Sequence, residues 1–276
     1  MQHSANFRIE VSTNKRKNSM KTRYIGITDF MTRAQVRRII ELYYKNDLLF
    51  NNLRAHIGVM MSRKTLGLMK NKWTDAFPKR EEVSGIFMRH LLAFNVLHYA
   101  DYDGVDVFCN LLEAADYGGP NMDAMQLDMI WPSPVVLRMF RDEHPEIQLI
   151  LQIGANALAA MQDDPTCVAE RLAHYDGDVD YVLLDKSMGK GLGMDARALL
   201  PFVRRISQTQ PHIGIAVAGG LGPNTLNLVE PIVREFPDIS IDAQGRLRPN
   251  GDALNEPIDW NMAEEYFLKA YRMLQK

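Results

Sequence analysis

The chain has 276 residues, of which 46% are hydrophobic and 24% are charged, so it can bury one large α/β core or two small ones. Its 32 Lys and Arg nearly balance its 34 Asp and Glu, for a formal net charge of -2, and this balance does not favour nucleic acid as a partner. No apolar run approaches the roughly 20 residues of a membrane span, and the first residues lack an apolar signal core. We therefore expect a cytoplasmic protein that binds neither nucleic acid nor membrane.

Cysteine spacing and the first residues add two expectations. Cys109 and Cys167 lie in separate apolar-periodic segments without a Cys-x-x-Cys or Cys/His pattern, which predicts buried thiols in a reducing compartment and neither a disulfide nor a zinc site. Residues 1–22 are polar and basic with no sustained periodicity. This composition predicts a flexible N-terminal tail.

Strand and helix patterns alternate from residue 23 onward. The apolar run RYIGIT (23–28) predicts a first strand, and helical spacing begins behind Thr32, a suitable cap. LRAHIGVMM (53–61) predicts a second strand. The segment 64–82 that follows is too long for a plain βα loop and too apolar for a linker, so we expect an expanded loop or lid.

Six more strand patterns follow, each separated from the next by a helical one. The fifth is nearly continuous in apolar residues, as expected for a strand covered on both faces. Eight alternating units in about 250 residues predict an α/β protein with a closed parallel (β/α)₈ barrel, the TIM-barrel architecture, over residues 23–276. The remaining predicted strands are 91–99, 123–130, 147–154, 180–185, 213–221 and 239–246, and the helices between and after them include 134–142, 157–174, 194–208 and 260–274.

Glycines cluster after the last three predicted strands. Glycine turns at one rim of a parallel sheet can direct several backbone N–H groups at a single anion. In (β/α)₈ barrels a phosphate site commonly lies at the carboxyl ends of the last two strands. The sequence therefore predicts a phosphate site, the alternative being ordinary tight turns. Its residues are Gly191, Gly193, Gly219, Gly220 and Gly245, with Arg246 as a neighbouring charge.

Two segments resemble one family. LLDKSMGKGLGMD (183–195) and AVAGGLGPNTL (216–226) are similar in letters and spacing to the sixth- and seventh-strand motifs of phosphoribosylanthranilate isomerase. Shorter echoes occur in RYIGIT, VMMSRKT, MQLD and IDAQGR, so the resemblance extends along nearly the whole barrel. It implies a (β/α)₈ fold and a sugar-phosphate site, and more weakly the reaction, because one fold hosts many chemistries.

The resemblance assigns roles to four positions. The family's general base is a cysteine at the end of the first strand, and Ile25, which cannot accept a proton, stands at the matching position. The general acid corresponds to Asp185, which closes an apolar strand. The arginine that holds the substrate's carboxylate corresponds to Arg63. Asp128 replaces the histidine of the strand-four motif. The implied protein is a divergent relative that kept the phosphate site and changed its chemistry or substrate.

The missing base leaves alternatives open. Asp29, just after the first strand, is a candidate base or a helix cap, and Asp128 is a second candidate base. His98 and Asp101, with Asp128 and Asp185, form a loose set near the barrel mouth that could instead hold a divalent metal. The spacing matches no metal motif, and a polar residue at a strand end is often only a hydrogen-bonded cap.

The expected function is binding of a small phosphorylated sugar, with isomerisation by acid/base proton transfer. Catalysis is assigned to Asp185 with Asp128 or Asp29, and binding of the rest of the substrate to Arg63 and His98. We expect no cofactor, no bound metal and a monomer or homodimer. The alternatives are a metal-assisted epimerase, aldolase or hydrolase of a sugar phosphate, and a non-catalytic phosphometabolite sensor, for which Ile25 is the strongest argument.

Overall fold

Eight parallel strands close into a barrel in the computed structural model, which describes residues 21–48, 52–186 and 193–275. The strands follow one another around the barrel in chain order, and the first pairs with the last. This confirms the predicted (β/α)₈ fold. The strands are β1 (Arg23–Thr28), β2 (Leu53–Ser62), β3 (Ala93–Ala100), β4 (Ala124–Asp128), β5 (Gln148–Gly154), β6 (Tyr181–Asp185), β7 (Gly214–Ala218) and β8 (Ser240–Ala243).

Helices follow every strand, although several are short. The Thr32 side chain accepts from the Gln35 amide and Gln35 reaches back, so a capping box starts the first helix where the sequence predicts it. The helices are α1 (Arg33–Lys45), α2 (Arg63–Leu66), α3 (Val83–Ile86), α4 (Val107–Gly118), α5 (Pro134–Glu143), α6 (Ala155–Ala160), α7 (Pro165–Ala173), α8 (Ala196–Thr209), α9 (Glu230–Glu235) and α10 (Trp260–Leu274), and 3₁₀ turns span Arg80–Glu82, Leu226–Leu228 and Gly245–Leu247.

The single helix predicted over 157–174 is wrong, because the chain forms α6 and α7 there. Gln162 and Asp163 have φ of 57° and 51°, a left-handed conformation that a helix cannot contain. Asp164 then caps a new helix that opens with Pro165. Predicted strand ends also shift slightly: the third strand begins at Ala93 rather than residue 91, and the fourth stops at Asp128.

Two apolar layers hold the barrel together. An inner cluster fills the barrel and includes Tyr24, Phe94 and Tyr181, whose rings pack within 6.0 Å of one another. A larger cluster lies between the strands and the helices. Because successive strand residues point to opposite faces, Ile25 belongs to the outer layer while Tyr24 belongs to the inner one.

The prediction of two buried thiols is wrong. Cys109 is exposed and Cys167 is half-buried. In α4 the buried face carries Leu111, Ala114 and Ala115, and Cys109 lies about 200° around the helix from Leu111, given roughly 100° per residue. Apolar periodicity located the helix correctly but not the side of it that carries the cysteine.

The described start of the chain is tied to the amino end of the barrel. Of the segment predicted to be a flexible tail, residues 1–20 lie outside the described residues. Lys21 Nζ contacts Asp180 Oδ1 at 2.9 Å, and the Tyr181 hydroxyl donates to the Thr22 carbonyl at 3.1 Å. Across the described ranges, no helix is long and apolar enough to cross a membrane.

Candidate functional site

A cavity of about 930 Å³ opens at the carboxyl end of the barrel. Its floor consists of inward-facing residues from β2 to β8, which alternate along each strand as the period of two requires. Segments 62–77 and 251–254 supply its upper wall. The predicted expanded loop 64–82 therefore contributes to the cavity through residues such as Trp73 and Phe77. This is the end of a (β/α)₈ barrel where catalytic residues collect.

Glycine turns line the cavity after β7 and β8. Gly219 and Gly220 have φ of 120° and 63°, conformations that a side chain would strain, and Gly245 is buried at the start of a 3₁₀ turn. The Thr225 hydroxyl donates to the Gly220 carbonyl at 2.7 Å and fixes the first turn. Within the described chain, the N–H groups of Gly219 and Gly220 donate to no backbone or side-chain acceptor. They are available to an anion in the cavity.

The other three residues predicted for the phosphate site are Gly191, Gly193 and Arg246, and neither of the two that the structure describes lines the cavity. Gly191 lies outside the described residues. Gly193 is exposed and does not line the cavity, and the exposed Arg246 side chain does not line it either. A Cβ on Gly222 would lie 2.7 Å from the Arg246 carbonyl oxygen. The turns after β7 and β8 therefore pack directly against each other, and the backbone of Arg246 matters to the shape of the site.

Asp185 ends β6 and lines the cavity while remaining buried. It pairs in register with Gly154 on one side and Ala218 on the other, neither of which has a bulky side chain to cover it. The next residue, Lys186, turns outward to Asp163 at 3.4 Å. Asp185, the acid predicted from the sequence, thus lies at the edge of the cavity floor, next to β7, the strand that leads into Gly219.

His98 and two glutamines form a buried polar row across β3, β4 and β5. His98 is in register with Gln126, and their Nδ1 and Nε2 atoms lie 3.2 Å apart. Gln126 Nε2 also donates to Gln152 Oε1 at 2.8 Å. All three side chains are buried and line the cavity. The two glutamines were not predicted, although each is a polar residue with an apolar residue on both sides inside a predicted strand, a signal that could have found them.

Asp128, at the end of β4, lies between His98 and Tyr102. The Tyr102 hydroxyl donates to Asp128 Oδ1 at 2.5 Å, and His98 Nε2 lies 3.9 Å from Asp128 Oδ2. Desolvation of the hydroxyl, followed by the Asp128 charge, raises the pKa of Tyr102, so this hydroxyl stays a donor. Asp185 acts in the same direction more weakly. Tyr102 therefore holds one oxygen of Asp128 and leaves the other facing His98.

Asp29 lies beside the cavity but does not line it. Its carboxylate forms an ion pair with Arg248. Arg248 Nη2 donates to Asp29 Oδ2 at 2.7 Å, and Gln244 Nε2 donates to Oδ1 at 3.1 Å. Burial raises the pKa of Asp29, against the opposing effect of Arg248 and Gln244. Both carboxylate oxygens thus have partners, and Asp29 links the end of β1 to the turn after β8.

Ile25 does not lie at the barrel mouth, where the resemblance places the family's catalytic cysteine. It is the third of six residues in β1, is fully buried, and packs in the layer between strands and helices. Its neighbour Gly26 faces the interior, where a Cβ would lie 2.2 Å from Asp242 Oδ1 and 2.8 Å from His56 Nδ1. The expected position at a strand end is wrong, because an alignment by letters did not fix which residues of β1 point inward.

Arg63 lines the cavity as the first residue of α2. Ser62 and Thr65 form a capping box that starts this short helix directly at the end of β2. Arg63 Nη1 contacts Asp103 Oδ2 at 2.7 Å. Farther up the same wall, Lys72 Nζ lies 5.3 Å from the centre of the Trp73 ring. These groups give the wall after β2 a cationic and aromatic character.

The four residues considered as an alternative metal site, His98, Asp101, Asp128 and Asp185, do not come together as one group. Among the described residues, no three His, Cys, Asp or Glu side chains are placed to share an ion. His98 and Asp128 are close together. Asp101 instead accepts from the backbone amides of Asp103 and Gly104 at 3.0 Å and 3.1 Å. It shapes its own loop and does not line the cavity.

No protein-family model and no curated protein sequence matches the chain. Among solved structures, it is similar to the catalytic domain of a hyperthermophilic chitinase from Pyrococcus furiosus, with 11% identity, a TM-score of 0.55, and coverage of 94% of this chain and 98% of that one. The chain is a (β/α)₈ barrel.

Two other solved structures are similar to the chain at equally low sequence identity. A putative spore coat polysaccharide biosynthesis protein E from Chromobacterium violaceum gives 9% identity, a TM-score of 0.57 and coverage of 92% and 75%. A ribulose-1,5-bisphosphate carboxylase/oxygenase from Pyrococcus horikoshii gives 14% identity, a TM-score of 0.50 and coverage of 92% and 62%. At such identities the likeness extends to the fold alone, and the chemistry has to be argued from the site.

Proposed function

We propose that the protein binds a small phosphorylated sugar, or a similar phosphometabolite, at the carboxyl end of the barrel and isomerises it by acid/base proton transfer. One observation carries this proposal: the available amides of Gly219 and Gly220 open into the same cavity as two carboxylates at strand ends, Asp128 and Asp185. An anion and a reacting carbon could therefore occupy one site together. The names of two structural matches, a chitinase and a polysaccharide biosynthesis protein, are in keeping with a carbohydrate ligand as a fold-level analogy.

The phosphate end is assigned to the turns after β7 and β8. Phosphate oxygens accept hydrogen bonds and carry charge, so they suit a row of backbone N–H donors. Gly219, Gly220 and Gly245 supply such donors without side chains that would block close approach.

The proton transfers are assigned to Asp185 and Asp128. In the open-chain sugar, protonated Asp185 gives its proton to the carbonyl oxygen, which takes the C=O π pair, while Asp128 removes the proton of the neighbouring C–H bond, whose electron pair forms the C=C bond of an enediol. Asp128 then returns its proton to the former carbonyl carbon and Asp185 takes the proton of the other enediol hydroxyl, so the carbonyl moves by one carbon and both carboxyl groups are restored. Asp128 is a better base candidate than Asp29, because Asp128 lines the cavity and Asp29 does not. Arg63 orients the remainder of the substrate.

Ile25 no longer supports a non-catalytic sensor, because its side chain points away from the cavity. The sensor and the metal-assisted alternatives become outcomes of one experiment. Purified protein is incubated with a panel of aldose and ketose phosphates, with and without a chelator, and interconversion is followed by NMR. Turnover that survives chelation supports the proposal, turnover abolished by chelation favours the metal-assisted alternative, and binding without turnover favours the sensor.

Asp185→Asn tests the acid on whichever member of the panel reacts. We expect kcat to fall by about 10²- to 10⁴-fold, the usual contribution of a positioned acid or base, with little change in affinity for inorganic phosphate. Asp238→Asn, at an exposed residue that does not line the cavity, is the matched control. Unchanged turnover in Asp185→Asn would remove Asp185 from the mechanism.

A further inference from the structure

The floor of the cavity carries two buried polar atoms with no partner. His98 Nε2 and Gln126 Oε1 make no hydrogen bond within the described chain. Their side chains are 6% and 0% exposed, and both line the cavity. A buried polar atom without a partner costs free energy, so a ligand that bonds both atoms supplies hydrogen bonds that the protein's own groups do not. This unmet capacity lies on β3 and β4, away from the glycine turns after β7 and β8.

The neighbouring bonds determine which of these atoms donates. Gln126 Nε2 donates to Gln152 Oε1 at 2.8 Å and has its second hydrogen for His98 Nδ1 at 3.2 Å. Nδ1 then accepts, so the neutral ring carries its proton on Nε2. The same tautomer is favoured by Asp128 Oδ2, which lies 3.9 Å from Nε2 and would repel a lone pair there. His98 Nε2 is thus a donor, whereas Gln126 Oε1 and Asp128 Oδ2 are acceptors.

This mixture of donor and acceptors selects a class of ligand. Phosphate and carboxylate oxygens only accept, and they would meet the Asp128 charge. An ammonium group only donates, and it would oppose the His98 N–H. A hydroxyl group both donates and accepts. At 3.9 Å, the gap between His98 and Asp128 is too long for a direct hydrogen bond, yet one hydroxyl oxygen placed off the line between them can bond to both.

We infer that His98, Gln126 and Asp128 form a subsite for adjacent hydroxyl groups of an uncharged polyol chain. Gln152 and Tyr102 act as positioning residues, because each holds one member of the set through a hydrogen bond. The inference rests on the proposed function for the location of the phosphate end only. It adds that the other end of the substrate is a chain of free hydroxyls, presented next to Asp128.

Binding of four probes tests the subsite without knowledge of the natural substrate. The probes are inorganic phosphate, pentyl phosphate, ribitol 5-phosphate and ribitol, measured by calorimetry on the wild type, His98→Leu and Gln126→Leu. Gln210→Leu is the matched control, since Gln210 is also a buried glutamine but does not line the cavity. We expect ribitol 5-phosphate to bind the wild type and the control at least about tenfold more tightly than pentyl phosphate.

The two cavity variants should lose this preference while their affinity for inorganic phosphate stays within about twofold of the wild type. Equal binding of pentyl phosphate and ribitol 5-phosphate by the wild type, or parallel loss of all phosphate probes in folded variants, would overturn the subsite. If inorganic phosphate fails to bind but ribitol binds the wild type and not Gln126→Leu, the subsite stands and the phosphate assignment fails. A histidine NMR spectrum gives a second readout: proton on Nδ1 of neutral His98 contradicts the inference.

Discussion

Asp180 shows how one buried charge is compensated at the end of the barrel opposite the cavity. Its carboxylate accepts from Arg141 at 2.6 Å, from Lys21 at 2.9 Å and from the Leu149 amide at 3.0 Å. Burial alone would raise the pKa of Asp180, but Arg141, Lys21 and the amide together hold it below its usual range. A lowered pKa in the folded state means that ionisation of this carboxyl stabilises the fold.

Asp180→Asn should therefore destabilise the protein at pH 7, by about 3–5 kcal/mol, since it breaks the buried ion pair between Asp180 and Arg141. The stabilisation is fully present above the pKa of an unfolded aspartate, about 3.9, and is lost as the pH falls through the lower folded value. The stability difference between wild type and variant should thus hold from neutral pH down to about pH 5 and shrink below about pH 4.

Urea unfolding at several pH values checks this expectation, with Asp238→Asn as the exposed control. Equal stability of wild type and Asp180→Asn at pH 7 would show that the ion pair contributes nothing.

Single residues also show what could be predicted from the sequence. Asp185, Gly219 and Gly220 close or follow apolar strands, and strand ends in a parallel barrel meet at one rim, so their arrival at the cavity was predictable. The partnership of Gln126 with Gln152 depends on the register between β4 and β5, which no local pattern specifies. The expected position of Ile25 was wrong for a related reason, since a one-residue shift in phase reverses the face of every side chain in a strand.

At the scale of elements, β1 and β2 approach each other so closely that one position on β2, Gly58, has no room for a side chain. A Cβ on Gly58 would lie 2.6 Å from Thr28 Oγ1, 2.9 Å from Thr28 Cα and 3.1 Å from the Ile27 carbonyl oxygen. Two of these three atoms belong to the backbone and cannot rotate away. Thr28 also lies beside β8, which pairs directly with β1, and its hydroxyl donates to Asp242 Oδ2 at 3.1 Å.

Gly58→Ala should lower the free energy of unfolding by about 1–3 kcal/mol, the usual cost of overpacking a filled core. Gly85→Ala is the matched control, because a Cβ there meets nothing within 4 Å and alanine suits a helical position. Thermal unfolding of the two variants checks the difference. A Gly58→Ala variant as stable as Gly85→Ala would mean that the strands separate at no cost.

Some helix starts were predicted from caps and prolines, but the start of α7 was missed although a cap and a proline mark it in the same way. Thr32 with Gln35, and Pro134 at the first turn of α5, mark helix starts in the sequence itself. The break between α6 and α7 has no glycine. There, Gln162 and Asp163 adopt a left-handed conformation at a cost of roughly 1–2 kcal/mol each, which packing of both helices on the barrel must offset.

At the scale of the whole molecule, α10 packs over the junction where the barrel closes. The rings of Phe267 and Tyr271 lie 5.3 Å and 5.8 Å from that of Tyr43 on α1, and the Tyr271 hydroxyl donates to the Leu48 carbonyl. The first and last helices therefore lie side by side around the pairing of β1 with β8.

A chain ending at Asp259 should fail to fold. Burial of one large apolar side chain is worth about 1.5–3 kcal/mol, so the loss of Tyr266, Phe267, Tyr271 and Leu274 is comparable with the ~5–15 kcal/mol that stabilises a typical protein. We expect no cooperative thermal transition by circular dichroism, whereas a chain ending at Gln275 should unfold like the full one. A cooperative transition in the shorter chain would show that closure does not need α10.

The central claim is that the cavity holds an anion on the turns after β7 and β8, and a crystal grown with inorganic phosphate tests it most directly. The account predicts a phosphate within hydrogen-bond distance of the Gly219, Gly220 and Gly245 amides, and none in Gly220→Asp, where a carboxylate would repel it. Phosphate bound at another place in the cavity, or density at these amides that is unchanged in Gly220→Asp, would contradict it.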